Sequence, residues 1–408
     1  MGPARPEVYD AIVVGAGPAG SACAVHLAAR GRSVLLLDKA GFPRAKVCGE
    51  YLSPETARLL DRLGALEVVE AAARPVRGMR IVAPDGTELV AEYPRAGPHR
   101  GYRDHALAIP RLELDRILLE RARAYPIDVR EGFRVTDLLL AGEQVTGVRG
   151  LARDGGVEAF RGRLVVGADG RHSAVARRLG LIHPHPRLRR LALVTHLRGV
   201  ERFDGHGEIY LAPPFYAILN PLRGDRCNVS VVGPLGRVAP RQCEVEARFA
   251  AWLACVPAAA ARVAGATPAG PIRALGPLAY RVARPRQAGV LLVGDARGFY
   301  DPFTGEGIYT ALRSAELAAE VAVAALAAGD YSQSALAPYE AGCRGAFAPK
   351  QRVSRLLQAL IARRRLANLV ACRLARRAEL LGPLMGVLGD FVPPSQLLTS
   401  AYLRRLLL

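Results

Sequence analysis

Lysine is almost missing from this chain. Only Lys39, Lys46 and Lys350 accompany the arginines among its 56 basic residues, and tryptophan occurs once, as Trp252. Aromatics make up 6% of the 408 residues, and none are interleaved with the basic ones as a base-stacking surface would require. The formal net charge of +19 is therefore not read as a nucleic-acid partner. An arginine-for-lysine bias in a chain full of Ala, Gly and Pro has the look of codon usage in a GC-rich genome. Where the charge has a use, a face for acidic membrane lipid or a phosphorylated cofactor is the better expectation.

Other absences narrow the field further. The seven cysteines (Cys23, Cys48, Cys227, Cys243, Cys255, Cys343, Cys372) form no C-x-x-C. Their spacing gives neither a zinc site nor a disulfide framework, as in a reduced, cytoplasmic chain. No metal cluster and no His/Ser/Asp set for acyl transfer is evident, and His172, His183, His185 and His196 read as structural or surface residues. No uncharged apolar run reaches the roughly 18 residues of a membrane span. No basic stretch precedes a cleavable apolar segment, and Pro6 rules out a myristoylation signal at Gly2. There is no internal repeat and no signature of a particular oligomeric state.

What is present is half hydrophobic and long enough for two or three domains with a large core. The organising stretch is Asp10 to Asp38. Ala11 to Val14 reads as a buried parallel strand, Gly15-Ala16-Gly17-Pro18-Ala19-Gly20 as a turn, and the Ala-rich run to Arg30 as a helix ended by Gly31. Ser33 to Leu37 is a second strand, closing on Asp38. In this strand–helix–strand context G-x-G-x-x-G means dinucleotide binding. Gly15 permits the tight turn, Gly17 the approach of a pyrophosphate, and Gly20 the packing of helix on strand. The helix N-terminus offers N–H groups to phosphate. Asp38 stands where a carboxylate accepts from a ribose and disfavours a 2′-phosphate.

Downstream, Lys39, Arg44 and Lys46 lie in a loop that is either a solvated basic loop or a partner for phosphates or an electron-rich ring. Ser53 as N-cap and Pro54 as first residue predict a helix start. Val76–Val82 and Glu88–Tyr93 read as a hairpin across Asp85-Gly86. A helix opens near Arg111, and strands follow near Asp128, at Phe133–Leu140 and at Gln144–Gly150. A buried strand then ends in Gly167-Ala168-Asp169-Gly170. The stretch from about Gly180 to Pro285 is β-rich, with a helix around Glu244–Cys255. Gly289 to Asp295 returns to a parallel strand, and a long helix ends near Leu326.

Three ordered segments now stand together: GAGPAG with Asp38, GADG with Arg177, and GDARGFYDPFTGEGI at 294–308. They resemble the flavoprotein superfamily of p-hydroxybenzoate hydroxylase. Within it, Lys46-Val47-Cys48-Gly49-Glu50 and the Asp-Pro-x-x-Gly-x-Gly-Ile run resemble the geranylgeranyl reductase family. The likeness covers roughly residues 8–330. It implies an α/β fold with a discontinuous Rossmann-like FAD-binding domain (1–75, 101–180, 285–330), an inserted antiparallel substrate sheet (76–100, 181–284) and a C-terminal helical region (331–408). It implies FAD at Gly15, Gly17, Ala19, Gly20, Asp38, Lys39, Arg44, Lys46, Asp169 and Asp295. It also implies Arg111 toward the flavin side, the Val135 backbone at adenine, Cys48 and Gly49 beside the ring, and Gly305, Gly307 and Ile308 at the ring edge. Cys48 and Tyr216 are the candidate catalytic residues, and NAD(P)H or another reductant would bind transiently.

The family's substrate-sheet signature, Tyr-x-Trp-x-Phe-Pro, appears here as Tyr216-Ala217-Ile218-Leu219-Asn220-Pro221, with Trp and Phe both replaced. The tryptophan pair of flavin halogenases is absent as well. Two reactions fit: hydride transfer from reduced flavin to a C=C bond of an isoprenoid, quinone or polyketide-like substrate, or hydroxylation of an aromatic or polyketide. The Gly-Glu-Gly-Ile run and KVCGE favour the first. A flavin-binding scaffold without turnover is the third reading. The basic tail, 350–408, suits either a peripheral contact with anionic membrane on the inner face or a helical cap with a solvated basic surface.

Overall fold

The computed structural model describes residues 6–186, 188–200, 202–236, 244–300, 303 and 305–407. Cys243, Asp301, Pro302 and Thr304 of the sequence analysis lie outside them. The chain builds two large sheets. In the first, Val8–Val14 pairs in parallel with Val34–Asp38 on one side and Val157–Gly167 on the other. Ile127–Glu131 extends the sheet beyond Val34–Asp38, and Val290–Leu292 joins Val165–Gly167, all in parallel. Strands covered on both faces are near-continuously apolar, as Ala11-Ile12-Val13-Val14 and Val34-Leu35-Leu36-Leu37 are. All eight side chains are buried. Arg134–Ala141 and Gln144–Leu151 complete the sheet as an antiparallel hairpin against Val157–Gly167. The helix Pro18–Ala28 packs between this sheet and the long helix Gly307–Ala328. Both present alanines, including Ala22, Ala24, Ala315, Ala318 and Ala319, and the small side chains let the axes come close.

The second sheet has eight strands, in which Arg190–Arg198, Arg226–Pro234, Phe215–Pro221 and His206–Ala212 run antiparallel in that spatial order. Gly78–Val82 joins His206–Ala212 in parallel and turns back through Glu88–Glu92, across the hairpin expected at Asp85-Gly86. The period-2 alternation sorts its residues between two cores. Leu191, Leu193, Ala217 and Leu219 face the helices Val245–Ala254 and Pro257–Arg262. Ala192, Val194, Tyr216 and Ile218 face the C-terminal region.

That region is helical: Gln333–Ile361, Arg364–Arg376, Leu381–Leu388 and Ser400–Leu407. Buried Lys350 fastens it to the rest of the chain. Its ammonium donates to the Leu388 carbonyl at 3.1 Å, pairs with Asp390 and lies 3.7 Å from Glu306, just ahead of the Gly307 helix. One local expectation is corrected. The helix after the loop starts at Thr56 with Glu55 as its cap, not at Ser53-Pro54. Ser53 instead closes a turn, its carbonyl accepting from Thr56 N at 2.9 Å and its hydroxyl bonding that of Thr56 at 2.8 Å. A local turn satisfied the Ser side chain before the helix began.

The glycine turn sets the tightest constraint in the fold. A Cβ on Gly20 would stand 1.7 Å from the Gly15 carbonyl oxygen. Gly31 has φ +72° but open space around it. Gly31→Ala should therefore cost about the 1–2 kcal/mol of a left-handed alanine. Gly20→Ala should cost clearly more, since backbone must move, and a urea titration of both variants measures the difference. Equal midpoints would show that the turn yields.

Candidate functional site

At the carboxyl ends of the parallel strands, Gly15 (φ +103°) bends the chain so tightly that a Cβ there would lie 2.5 Å from the Ala168 carbonyl oxygen. The Gly-Ala-Asp-Gly turn is thus pressed against the first glycine turn. At Gly17 a Cβ would touch only the Arg44 guanidinium, at 3.4 Å. Gly17 also caps the Pro18–Ala28 helix, at whose start Ala19 and Gly20 lie, without a side-chain bond. Asp38 is buried: Oδ2 accepts from Ala16 N at 2.8 Å and Oδ1 from Ala40 N at 2.9 Å. Beyond it lies a cleft of about 390 Å³ with Lys39, Glu131, Arg134 and Arg153 on its walls. Val135 is buried beside this end, where Phe133 N donates to the Asp38 carbonyl at 2.9 Å.

Charges converge from four segments. Arg111, at the start of its helix, makes a bidentate pair with fully buried Asp115 at 2.8 and 2.9 Å. Arg44 reaches the same carboxylate at 3.1 Å and Asp38 at 3.6 Å. Burial opposes the charge of Arg111, but Asp115 and Cys48 outweigh it and its pKa rises. Lys46 is pushed down by burial and by Arg111 and Arg44, with Asp295 and Asp115 pulling the other way. Asp295 is raised by burial, against Lys46, Arg111 and Arg171. Asp169 is raised by burial too. Its Oδ2 accepts from Ala174 N at 2.6 Å, while buried Oδ1 has no partner among the described residues. Nor has the Arg171 Nη1. At the far end, Gly305 (φ +67°) abuts Tyr51, whereas a Cβ on Gly307 would meet only Phe299, at 4.0 Å. Ile308 follows, buried, in the first turn of the long helix.

These features fit FAD. A glycine cradle at a helix start, orphaned buried polar atoms on Asp169 and Arg171, a cation beside open backbone at Gly17, and open backbone at Gly307 are what a pyrophosphate and a ring edge call for.

The ring-side loop brings residues that local sequence did not single out. Glu50 is buried in the left-handed region (φ +58°), uncommon for a residue with a side chain. Its carboxylate accepts from Arg111 N at 3.0 Å, Asn228 Nδ2 at 3.1 Å and His196 Nε2 at 2.7 Å. Asn228 also donates to the Cys48 carbonyl at 2.9 Å, and Asn220 to that of Gly49 at 2.7 Å. His196, Asn228 and Asn220 are register partners on three adjacent strands of the second sheet. One polar row of that sheet therefore clamps the Cys48-Gly49-Glu50 turn. Asn220 occupies the Phe position of the aromatic signature, and His196 is a positioning residue here, not a bystander. The cation against the Cys48 thiol is Arg111, while Lys46 lies toward Asp295 and Gly170. Burial raises the thiol's pKa more than Arg111 lowers it. Tyr216 is buried four residues along the strand from Asn220, edge-on to Phe303 at 5.4 Å and under the Arg190 guanidinium at 5.6 Å.

Comparison with known proteins agrees with an FAD-binding fold. Residues 8–351 match the family model described as FAD binding domain. The digeranylgeranylglycerophospholipid reductase 1 of Methanococcoides burtonii is 33% identical over 355 residues, covering 84% of this chain and 81% of that protein. Among solved structures, the flavin-dependent brominase Bmp2 superposes with a TM-score of 0.81 at 22% identity, over 94% of this chain and 93% of that one, which speaks to fold alone. The myxobacterial chondrochloren halogenase CndH, an FAD-dependent halogenase, is 28% identical with a TM-score of 0.75, over 83% and 80% of the two chains.

Two outcomes follow. Charge-assisted hydrogen bonds are worth about 1.5–3 kcal/mol, so Asp38→Ala should weaken FAD roughly tenfold to a hundredfold. Fluorescence titration of the apoprotein measures this, and an unchanged dissociation constant would place the carboxylate elsewhere. Asn220→Leu leaves the Gly49 carbonyl without its donor at a cost of about 1–3 kcal/mol. The turn should loosen, and iodoacetamide should alkylate Cys48 faster relative to exposed Cys255, as read by peptide mass spectrometry.

Proposed function

This chain belongs to the geranylgeranyl reductase family of FAD-binding flavoproteins, and we propose that it reduces C=C bonds of a hydrophobic, isoprenoid-like substrate with electrons from bound FAD. The observation that carries this reading is an apolar layer beside the ring-side loop. Val47, Tyr216, Ile218, Leu275, Phe299 and Phe303 share one cluster, whose far side is formed by Ile361, Val370, Leu374 and Met385 of the C-terminal region. An apolar layer of this kind would bind by burial of apolar area, which suits a lipid chain, a quinone or a polyketide. Replacement of the signature Trp by Ile218 removes a flat wall and leaves room for a branched aliphatic chain.

FAD supplies the hydride equivalent to one alkene carbon; the other carbon needs a proton. The protein's part is to hold and protonate. Gly15, Gly17, Ala19, Gly20, Asp38, Asp169 and Asp295, with the cations Lys39, Arg44, Lys46 and Arg111, would hold the cofactor. The start of the Gly307 helix would face the ring edge with its positive end, which favours a negatively charged partner. Cys48 is the candidate proton donor. Its buried thiol keeps its proton at neutral pH, because burial pushes its pKa up. The polar row of His196, Asn228 and Asn220 fixes where Sγ points. NAD(P)H or another reductant would restore the electrons.

Oxygen chemistry is the second reading, and the 28% identity with the halogenase CndH supports it. Product mass spectrometry on isoprenoid, quinone and polyketide substrates, with and without oxygen, separates the two. Gain of two hydrogens without oxygen is expected; gain of one oxygen, or of a halogen, would overturn reduction. Cys48→Ser raises the pKa of the donor, and general acid catalysis contributes about 10²–10⁴-fold. Turnover should therefore fall while FAD loading holds; unchanged turnover would remove Cys48 from the proton path.

A further inference from the structure

Residues 350–408 carry eleven basic side chains against Glu379 and Asp390, a net +9 of the chain's +19. This charge sits on helices whose other side is already committed. Val370, Ala371 and Leu374 of Arg364–Arg376, and Tyr402 and Leu406 of Ser400–Leu407, belong to the cluster that covers the substrate sheet. The two helices touch: Arg377, just past the first, donates to the Arg405 carbonyl of the second. Their remaining faces therefore point away from the sheet.

Those outward faces are not simply polar. Leu369 is 45% exposed and Leu403 37%, and Leu356 on the preceding helix Gln333–Ile361 is 56% exposed. Each has arginine beside it. Arg365 and Arg376 lie one and two turns from Leu369 on the same helix face, and Arg352 lies one turn from Leu356. Arg404 and Arg405 follow Leu403 directly, and all of these arginines are exposed. A solvated basic cap has no use for protruding leucines, and a protein-binding groove would not be ringed by one sign of charge. Leucines set among arginines on a flat helical layer match the headgroup zone of a bilayer, where the apolar groups enter and the cations stay with phosphate. No helix among the described residues is long and apolar enough to cross a membrane, so the contact would be peripheral.

We propose that this outer face of the C-terminal helices docks the protein on an anionic phospholipid bilayer. The same helices cover that apolar layer from their inner side, so docking would bring the layer close to a lipophilic substrate. Only this last link rests on the proposed function; the docking itself does not.

The test uses the FAD-loaded full chain without substrate. Its sedimentation is measured with vesicles of phosphatidylcholine alone and of phosphatidylcholine with phosphatidylglycerol. Binding to the anionic vesicles only, weakened by salt, is expected. Each of Arg365→Gln and Arg376→Gln should lower affinity roughly fivefold, and Leu369→Ser about tenfold or more. These residues are exposed, and flavin absorbance of each variant confirms folding. No binding, equal binding to neutral vesicles, or variants that bind like the parent would overturn the proposal. So would duplex DNA that binds the face more tightly than anionic vesicles do. Because no turnover is measured, a failed reduction assay leaves this result untouched.

Discussion

Asp115 is fully buried and has two guanidinium groups on it. Arg111 grips it from one turn away in the same helix, and Arg44 grips it from the loop that follows Asp38. A lone carboxylate at that depth would be very costly, and so would either arginine alone, so the three groups stand or fall together. Through them the end of the second strand, the basic loop and the helix start at Arg111 become one rigid body. The Arg111 backbone then carries the constraint on to Glu50, and Glu50 to the second sheet. The cofactor end and the substrate end are thus joined by charge pairs and hydrogen bonds across the molecule, not by a shared apolar core alone.

What could be read from the sequence was local. The glycine turn, the closing Asp38 and the parallel strands follow from short patterns whose physics is contained within some thirty residues. In the structure Leu191 and Leu193 face one core and Ala192 and Val194 the other, because strand geometry leaves no choice. What escaped was non-local. His196 read as a structural or surface residue, and its structural partner could not be named because nothing nearby in sequence says that it meets Glu50, 146 positions away. Asp115 read as an ordinary helix residue although it is the deepest charge at the site. Asn220 and Asn228 carried one usable signal: Asn220 stands where the family signature has Phe, and a polar residue in an apolar sheet has to find a partner.

The fold hosts more than one chemistry, as its likeness to both a phospholipid reductase and halogenases makes plain. The cofactor half is therefore a poor guide to the reaction. What is particular to this chain lies over the Cys48-Gly49-Glu50 turn: a thiol beside Arg111, Ile218 in the apolar cluster, and a polar row of His196, Asn228 and Asn220 holding the backbone from behind.

The parallel pairing of Gly78–Val82 with His206–Ala212 has a consequence for the birth of the molecule. Two adjacent strands of one sheet are separated by more than a hundred residues of chain, among them four strands of the other sheet. On a ribosome the first of them emerges long before its neighbour and must wait. Sequence separation of this kind slows folding and leaves strand edges open meanwhile. The glycine-turn unit can form early, but it stays incomplete until Val290–Leu292 arrives, and the substrate sheet keeps one apolar face bare until the last helices are made. Assembly is thus ordered by synthesis, and truncations near the carboxyl terminus should accumulate as sticky, half-built species.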